Sequence, residues 1–287
     1  MQHVPNTGSE SRDADRLTTA GSVARCRGSY REAEELLSEA LEVAERTSGF
    51  RSLWVAEILN ELGMVCKYFG RFDEGRRHYE RALAIVLAEL GPRAPDVAAI
   101  YHNLGGLEHA CQDFRAAEPY AREAIRIRAQ ALGPEHIDVA RDKAAHAAIL
   151  AALGCREHAA AIFREAIGIF QSAGDEHEVA VNLNNLAAVV QDQGQLKEAE
   201  RLYRQALRVK ERTLGPAHPE TALTFSNLAV NYERQGRHED AERLFKRALE
   251  LLEEHLQPGH PAIHACRRNY ANLLRGLSRN DGTPARA

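Results

Sequence analysis

The sequence predicts an all-α fold, an α-solenoid of about six helix hairpins closed by one C-terminal helix, and three observations predict it. The first is a loop written four times: LGPRAPD from Leu90, LGPEHID from Leu132, LGPAHPE from Leu214 and LQPGHPA from Leu256, the members of each pair 42 residues apart. The second is a column of small residues, Gly21, Gly63, Gly105, Ala147, Ala187, Ala229 and Ala271, with steps of 42 except for one of 40. The third is the absence of any strand-like alternation of apolar and polar residues. A period of tens of residues is the signature of stacked units that bury their apolar faces on one another.

Each repeat follows the same plan. The first runs from about Leu17, with Gly21 on its first helix, Ala33, Leu37 and Ala40 on its second, and RTSGFRSLW where the others have the loop. The second has Gly63, a turn at Gly70, then Gly75, Tyr79 and Ala82. The third keeps Gly105, Ala117 and Ala124 but has Ala121, with Tyr120 beside it, where a large residue is expected. The fourth has Ala147, Ala159, Phe163 and Ala166, and its connection FQSAGDEHE is two residues shorter. The fifth and sixth carry Ala187, Gly194, Ala199, Tyr203, Ala206 and Ala229, Gly236, Ala241, Phe245, Ala248. The last segment, Ile263 to Leu277, is a first helix without a second, as a terminal cap should be. The solenoid is therefore set at residues 16–277, with disordered tails expected at 1–15 and 278–287.

These columns have a packing reason. Small residues with large apolar ones three and four positions away let two amphipathic helices approach closely, because side-chain size at the crossing sets the interaxial distance. Glycine at the turns supplies the left-handed backbone that ends a helix. In LGPAHPE, Gly215 is expected to end one helix, Pro216 to prevent its continuation, and Pro219 with Glu220 to open the next. His136, His218 and His260 recur inside this punctuation, so they are expected to hydrogen-bond helix ends rather than hold a metal.

The column pattern, together with LNNLA at Leu183 to Ala187 and the LGPxHP loop, resembles the tetratricopeptide repeat. The 42-residue spacing is similar to the variant found in kinesin light chains, longer than the usual 34-residue unit by about two helical turns. The resemblance covers about 260 residues and is tightest from Val179 to Pro261. It implies a right-handed superhelix whose first helices line a concave groove, and a role in holding an extended peptide or partner segment. Carried over by column, the peptide-binding candidates are Asn60, Met64, Lys67, His102, His109, Arg141, Asn184, Gln191, Ser226, Glu233 and Arg268.

An amide suits that role because it can pair with both the C=O and the N–H of a bound backbone, while small residues leave room for an apolar side chain. A second amide column, Asn103, Asn185, Asn227 and Asn269, is expected instead to contact the neighbouring repeat. A clamp for a terminal carboxylate is not matched, since Met64, Gly106, Ala144, Ala148 and Ala188 stand where basic or polar groups would be needed. No long heptad segment precedes the repeats, so nothing points to a motor heavy chain.

Composition excludes other classes. The formal charge is −4, and Arg outnumbers Lys by 32 to 5 but is scattered among acids, unlike a nucleic-acid surface. No apolar run is long enough for a membrane span, and the polar N-terminus MQHVPNTGSESRDADR lacks a secretory h-region, so a cytoplasmic location is expected. Five cysteines without a CxxC pair read as reduced packing residues, with no metal and no cofactor assigned. The motifs HExxH, GxSxG and GxxxxGK[ST] are absent, and no catalytic residue is assigned. Two alternatives stand beside the scaffold: a regulator responsive to a peptide or small ligand, and an enzyme using a polar site around His102 and His109, with Glu108 and Arg141 near. The sequence leaves homo-oligomerisation open.

Overall fold

The computed structural model describes residues 7–281, and side chains from 12 to 277. It holds thirteen helices and no strand among the described residues. In chain order they are α1 (Thr7–Cys26), α2 (Tyr30–Ser48), α3 (Leu53–Tyr68), α4 (Phe72–Leu90), α5 (Pro95–Ala110), α6 (Phe114–Leu132), α7 (Ile137–Ala152), α8 (Arg156–Ala173), α9 (Glu176–Asp192), α10 (Leu196–Thr213), α11 (Pro219–Arg234), α12 (His238–His255) and α13 (Pro261–Asp281).

The chain divides into two compact units, one ending at Leu153 and one starting at Gly154. In the first, the hairpins α1/α2, α3/α4 and α5/α6 stack in sequence and α7 packs on α6. The helices α1, α3, α5 and α7 lie side by side as one layer, backed by α2, α4 and α6. In the second, α8 packs on α9, the hairpins α9/α10 and α11/α12 follow, and α13 closes the unit against both α11 and α12. The fold is the predicted tetratricopeptide-type helix stack with its closing helix.

Two of the predicted boundaries differ. Helix α1 starts at Thr7, inside the segment 1–15 expected to be disordered, and α13 runs on to Asp281, past the expected end at 277. At the first of these the reason is packing: Ala14 is fully buried and Leu17 packs on the core, so the added turns have a surface to cover. The remainder of both expected tails, residues 1–6 and 282–287, lies outside the described residues.

Five of the turns between the helices of a hairpin use the same device. At Gly70, φ is 72°, and the N–H of Arg71 reaches back to the carbonyl of Cys66, five residues earlier. The same bond recurs from Ser29 to Ala24, Asp113 to Glu108, Gln195 to Val190 and Arg237 to Tyr232, the pattern that satisfies the last carbonyls of a helix. In the third repeat this left-handed position is filled by Gln112, at φ 63°.

Between hairpins, the loop glycines differ from expectation in one respect. Gly91 and Gly133 have positive φ but ψ of 170° and 151°, an extended conformation that only glycine reaches with ease, rather than the left-handed helical one. The shorter connection after α8 instead uses a left-handed helical Gly174, followed by Asp175 capping α9. The loop histidines act as predicted: Nδ1 of His136, His218 and His260 accepts from the backbone N–H two residues on, each at 3.2 Å.

The interior follows the columns. Ala40, Ala82, Ala124, Ala166, Ala206 and Ala248 are all fully buried. At the crossing of α3 and α4 the fit is tight: a Cβ on Gly63 would stand 2.5 Å from the Tyr79 ring, and one on Gly21 would stand 2.6 Å from Leu37. At Gly105 the nearest atoms to such a Cβ are 3.5 Å away, because Ala121 replaces the large residue. Gly63→Ala should therefore lower stability by about 1–3 kcal/mol through overpacking. Gly105→Ala should be neutral or raise it by up to about 1 kcal/mol through helix propensity, and urea unfolding of the two variants separates the outcomes.

Candidate functional site

The departure at Ala121 has a spatial consequence. Where the first and second repeats place Leu37 and Tyr79, the third leaves a cavity of about 140 Å³ opening on the layer of α5 and α7. Gly105, Ala121 and Ile149 line it together with His102, Gly106 and His109, and the buried Asp142 stands beside them. Tyr120 turns away and stacks on Tyr101 at 6.0 Å between ring centres.

His102 and His109 thus share one cavity, as their seven-residue spacing on α5 allows, but they are not paired with each other. His102 Nδ1 lies 2.8 Å from Oδ1 of Asp142, whose side chain is 1% exposed. The second carboxylate oxygen of Asp142 lies 2.8 Å from Nε of Arg128. A carboxylate oxygen accepts, so Nδ1 of His102 is the donor in this contact and Nε2 takes no part in it. His109 is exposed at the far edge, its ring meeting Phe114 edge-on at 5.2 Å. Its imidazole is held below its ordinary value by desolvation and then by the charge of Lys67. Burial, and then Arg25, likewise lowers the Lys67 ammonium.

The expected neighbours of this site do not belong to it. Glu108 is buried and turned to the other helix layer, where Arg76 holds it by two bonds of 2.8 and 3.0 Å. Arg141 pairs with Asp138 on its own helix. The residue that meets His102 is the next one, Asp142, which sequence reasoning missed although a signal existed. In its column stand Ile58, Ile100, Asn182, Thr224 and Cys266, all buried, and in the column of Arg128 stand Ala44, Val86, Phe170, Lys210 and Leu252. The third and fourth repeats have exchanged an apolar contact for an ion pair. The same holds at His146, which stands in the column of Leu62, Leu104, Leu186 and Leu228 and lies 3.4 Å from Glu118.

The predicted groove amides form a ladder. Asn103 Nδ2 donates to Oδ1 of Asn60 at 2.8 Å, and Asn227 Nδ2 donates to Oδ1 of Asn184 at 3.1 Å. Of the second amide column, Asn103 and Asn227 contact the preceding repeat, and their partners there are in the first amide column. In the second repeat that position is Glu61, which accepts from Ser22 at 2.9 Å and Arg25 at 2.8 Å. Each groove amide is therefore oriented, with its NH₂ left to donate to something outside the stack.

The remaining candidates divide by burial. Met64 is half-buried against the core, Glu233 is half-buried, and Arg268 is exposed on α13. Burial holds the Glu233 carboxyl above its ordinary value. Gln191 and Ser226 are 7% and 5% exposed, so they are interior rather than surface residues. Ser226 is a hydrogen-bond partner of the Cys266 thiol, which brings α11 and α13 together.

The tetratricopeptide-repeat family model matches residues 14–88, 54–130, 96–172 and 178–254. The chain belongs to the tetratricopeptide-repeat family. Among curated proteins, the Arabidopsis thaliana protein kinesin light chain-related 2 is 25% identical over 134 residues, 47% of this chain and 20% of that relative. The match therefore spans about a fifth of the relative's length. Among solved structures, BtubC (BKLC) from P. vanneervenii is 23% identical, with a TM-score of 0.64 over 86% of this chain and 94% of that one. A Rap protein complexed with competence and sporulation factor aligns with a TM-score of 0.65 at 15% identity, over 93% of this chain and 76% of that one. At these identities the structures share the fold. No described helix of this tetratricopeptide-repeat chain is long and apolar enough to cross a membrane.

The buried ion pair makes a stability prediction. Asp142→Ala strands the Arg128 guanidinium and should cost about 3–5 kcal/mol. Asp142→Ile with Arg128→Val, which restores the residue types of the second repeat, should be neutral or stabilising by about 1–4 kcal/mol, measured by urea unfolding.

Proposed function

We propose that this chain is a non-enzymatic interaction scaffold that binds an extended peptide segment of a partner protein along its first-helix layer. Tetratricopeptide arrays serve in general as protein-interaction scaffolds. The observation that carries the finer reading is the orientation of Asn60 and Asn184. Each has its carbonyl oxygen engaged by the following repeat, and each keeps its NH₂ donors for a partner's backbone carbonyl. Each unit offers one such donor, Asn60 in the first and Asn184 in the second, to an extended backbone crossing its first helices, which is a sequence-tolerant contact.

The cavity under His102 supplies a place for one apolar side chain of that segment. Catalysis is disfavoured by what lines the cavity. A histidine oriented by a carboxylate is two-thirds of a hydrolytic triad, yet the lining offers only glycine, alanine and isoleucine besides the two histidines and the aspartate. There is no hydroxyl or thiol among them to act as nucleophile.

The test is selection of a random linear peptide library on the full chain, followed by fluorescence anisotropy with the enriched peptides. Asn60→Ala with Asn184→Ala should weaken binding about 2- to 10-fold, from one lost hydrogen bond per unit at about 0.5–1.5 kcal/mol. Unchanged far-ultraviolet circular dichroism would exclude unfolding as the cause. Equal affinity in the double variant removes the amide reading.

A further inference from the structure

A second polar cluster lies away from the amide ladder, inside the second hairpin. We propose that Cys66 on α3 and Glu74 and His78 on α4 form a transition-metal site suited to zinc, with three protein ligands and a water in the fourth position. One donor atom from each of the three lies within 4.8 Å of the others, and Glu74 Oε1 is 3.9 Å from Nε2 of His78. In a tetrahedral zinc site with bonds of about 2.0–2.3 Å the donors stand about 3.3–3.8 Å apart, so the trio is within about an ångström of closure. Glu74 and His78 are one turn apart on α4 and face the same way, and Cys66 projects toward them from the last turns of α3.

The donor set selects the ion. Thiolate with imidazole and carboxylate suits zinc, and a hard cation such as magnesium would not take the sulfur. The site is half-buried, with Cys66 2% exposed and the other two at intermediate depth, which leaves a path for the ion. Glu74 contacts Arg71 at 3.3 Å, but Arg71 has a second partner in Glu34, so Glu74 can turn to a metal without stranding the guanidinium.

The repeat itself argues that this trio is not part of the packing scheme. The column of His78 is otherwise Leu36, Tyr120, Ile162, Leu202 and Leu244, and that of Cys66 is Ala24, Glu108, Leu150, Val190 and Tyr232. Only the second repeat brings a thiol, a carboxylate and an imidazole to these three positions. On binding, the Cys66 S–H bond breaks and its proton passes to solvent as the sulfur–metal bond forms, and the ion gives up coordinated water. Burial pushes that thiol up to about 11, so the ion has to displace the proton rather than find a thiolate waiting. The product ties α3 to α4 beside their turn with no net charge on the ion and its ligands.

The experiment uses the full chain, free of any affinity tag and stripped with a chelator, titrated with cobalt(II) as a spectroscopic probe and with zinc against a chromophoric competitor. One ion per chain is expected, with a sulfur-to-cobalt charge-transfer band in the near ultraviolet and strong visible bands of four-coordination. Cys66→Ser should abolish the sulfur band, and His78→Leu should weaken zinc at least about 100-fold. The second variant installs the residue of the first, fifth and sixth repeats, so it retains the fold and decides the matter if the serine variant does not. No binding, binding without a sulfur band, or zinc affinity unchanged in His78→Leu would each overturn the assignment.

Discussion

The distance between the two helices of a hairpin governs everything else in this protein, and it is set by a large side chain seated against a residue with little or no side chain. Tyr79 lies over Gly63 and Leu37 over Gly21, with no room for even a methyl group between. That closeness buries the alanine column of each second helix completely, and it fixes how far apart successive first helices stand. In a stack where each repeat touches only its neighbours, such local spacing is inherited along the array. Loss of the large residue at Ala121 is therefore not absorbed, and the space persists as the cavity at His102.

The third and fourth repeats share a second irregularity. Arg128, Asp142 and His146 occupy columns that are mostly apolar elsewhere, and they bring charge into the interior beside the cavity. A buried ion pair is weak evidence for stability, since apolar residues of similar size do as well or better. Its effect here is positional. Asp142 fixes the tautomer and direction of His102, which an apolar residue in its place would leave free.

The amide pairs tie one repeat to the next. Asn60 and Asn184 are oriented by residues one repeat further along, so the groove is organised by contacts between repeats rather than within them. One such pair stands in each compact unit, Asn60 with Asn103 and Asn184 with Asn227.

The order of helices, the turns, the closing helix and the loop histidines were all legible in the sequence, because each depends on residues close in the chain. A glycine in a helix-ending turn, or a histidine two residues from the N–H it caps, carries its partner with it. The amide columns were legible for the same reason, since a 42-residue period converts a long-range contact into a repeated local one. Positions where the repeats disagree were not. Asp142 was passed over in favour of Arg141, Gln191 and Ser226 were placed on a surface they do not reach, and Cys66 was read without Glu74 and His78. The sequence determined by itself the architecture, through periodicity. Only the tertiary structure decided which departures from the period meet in space, because a departure has no second copy along the chain to reveal its partner.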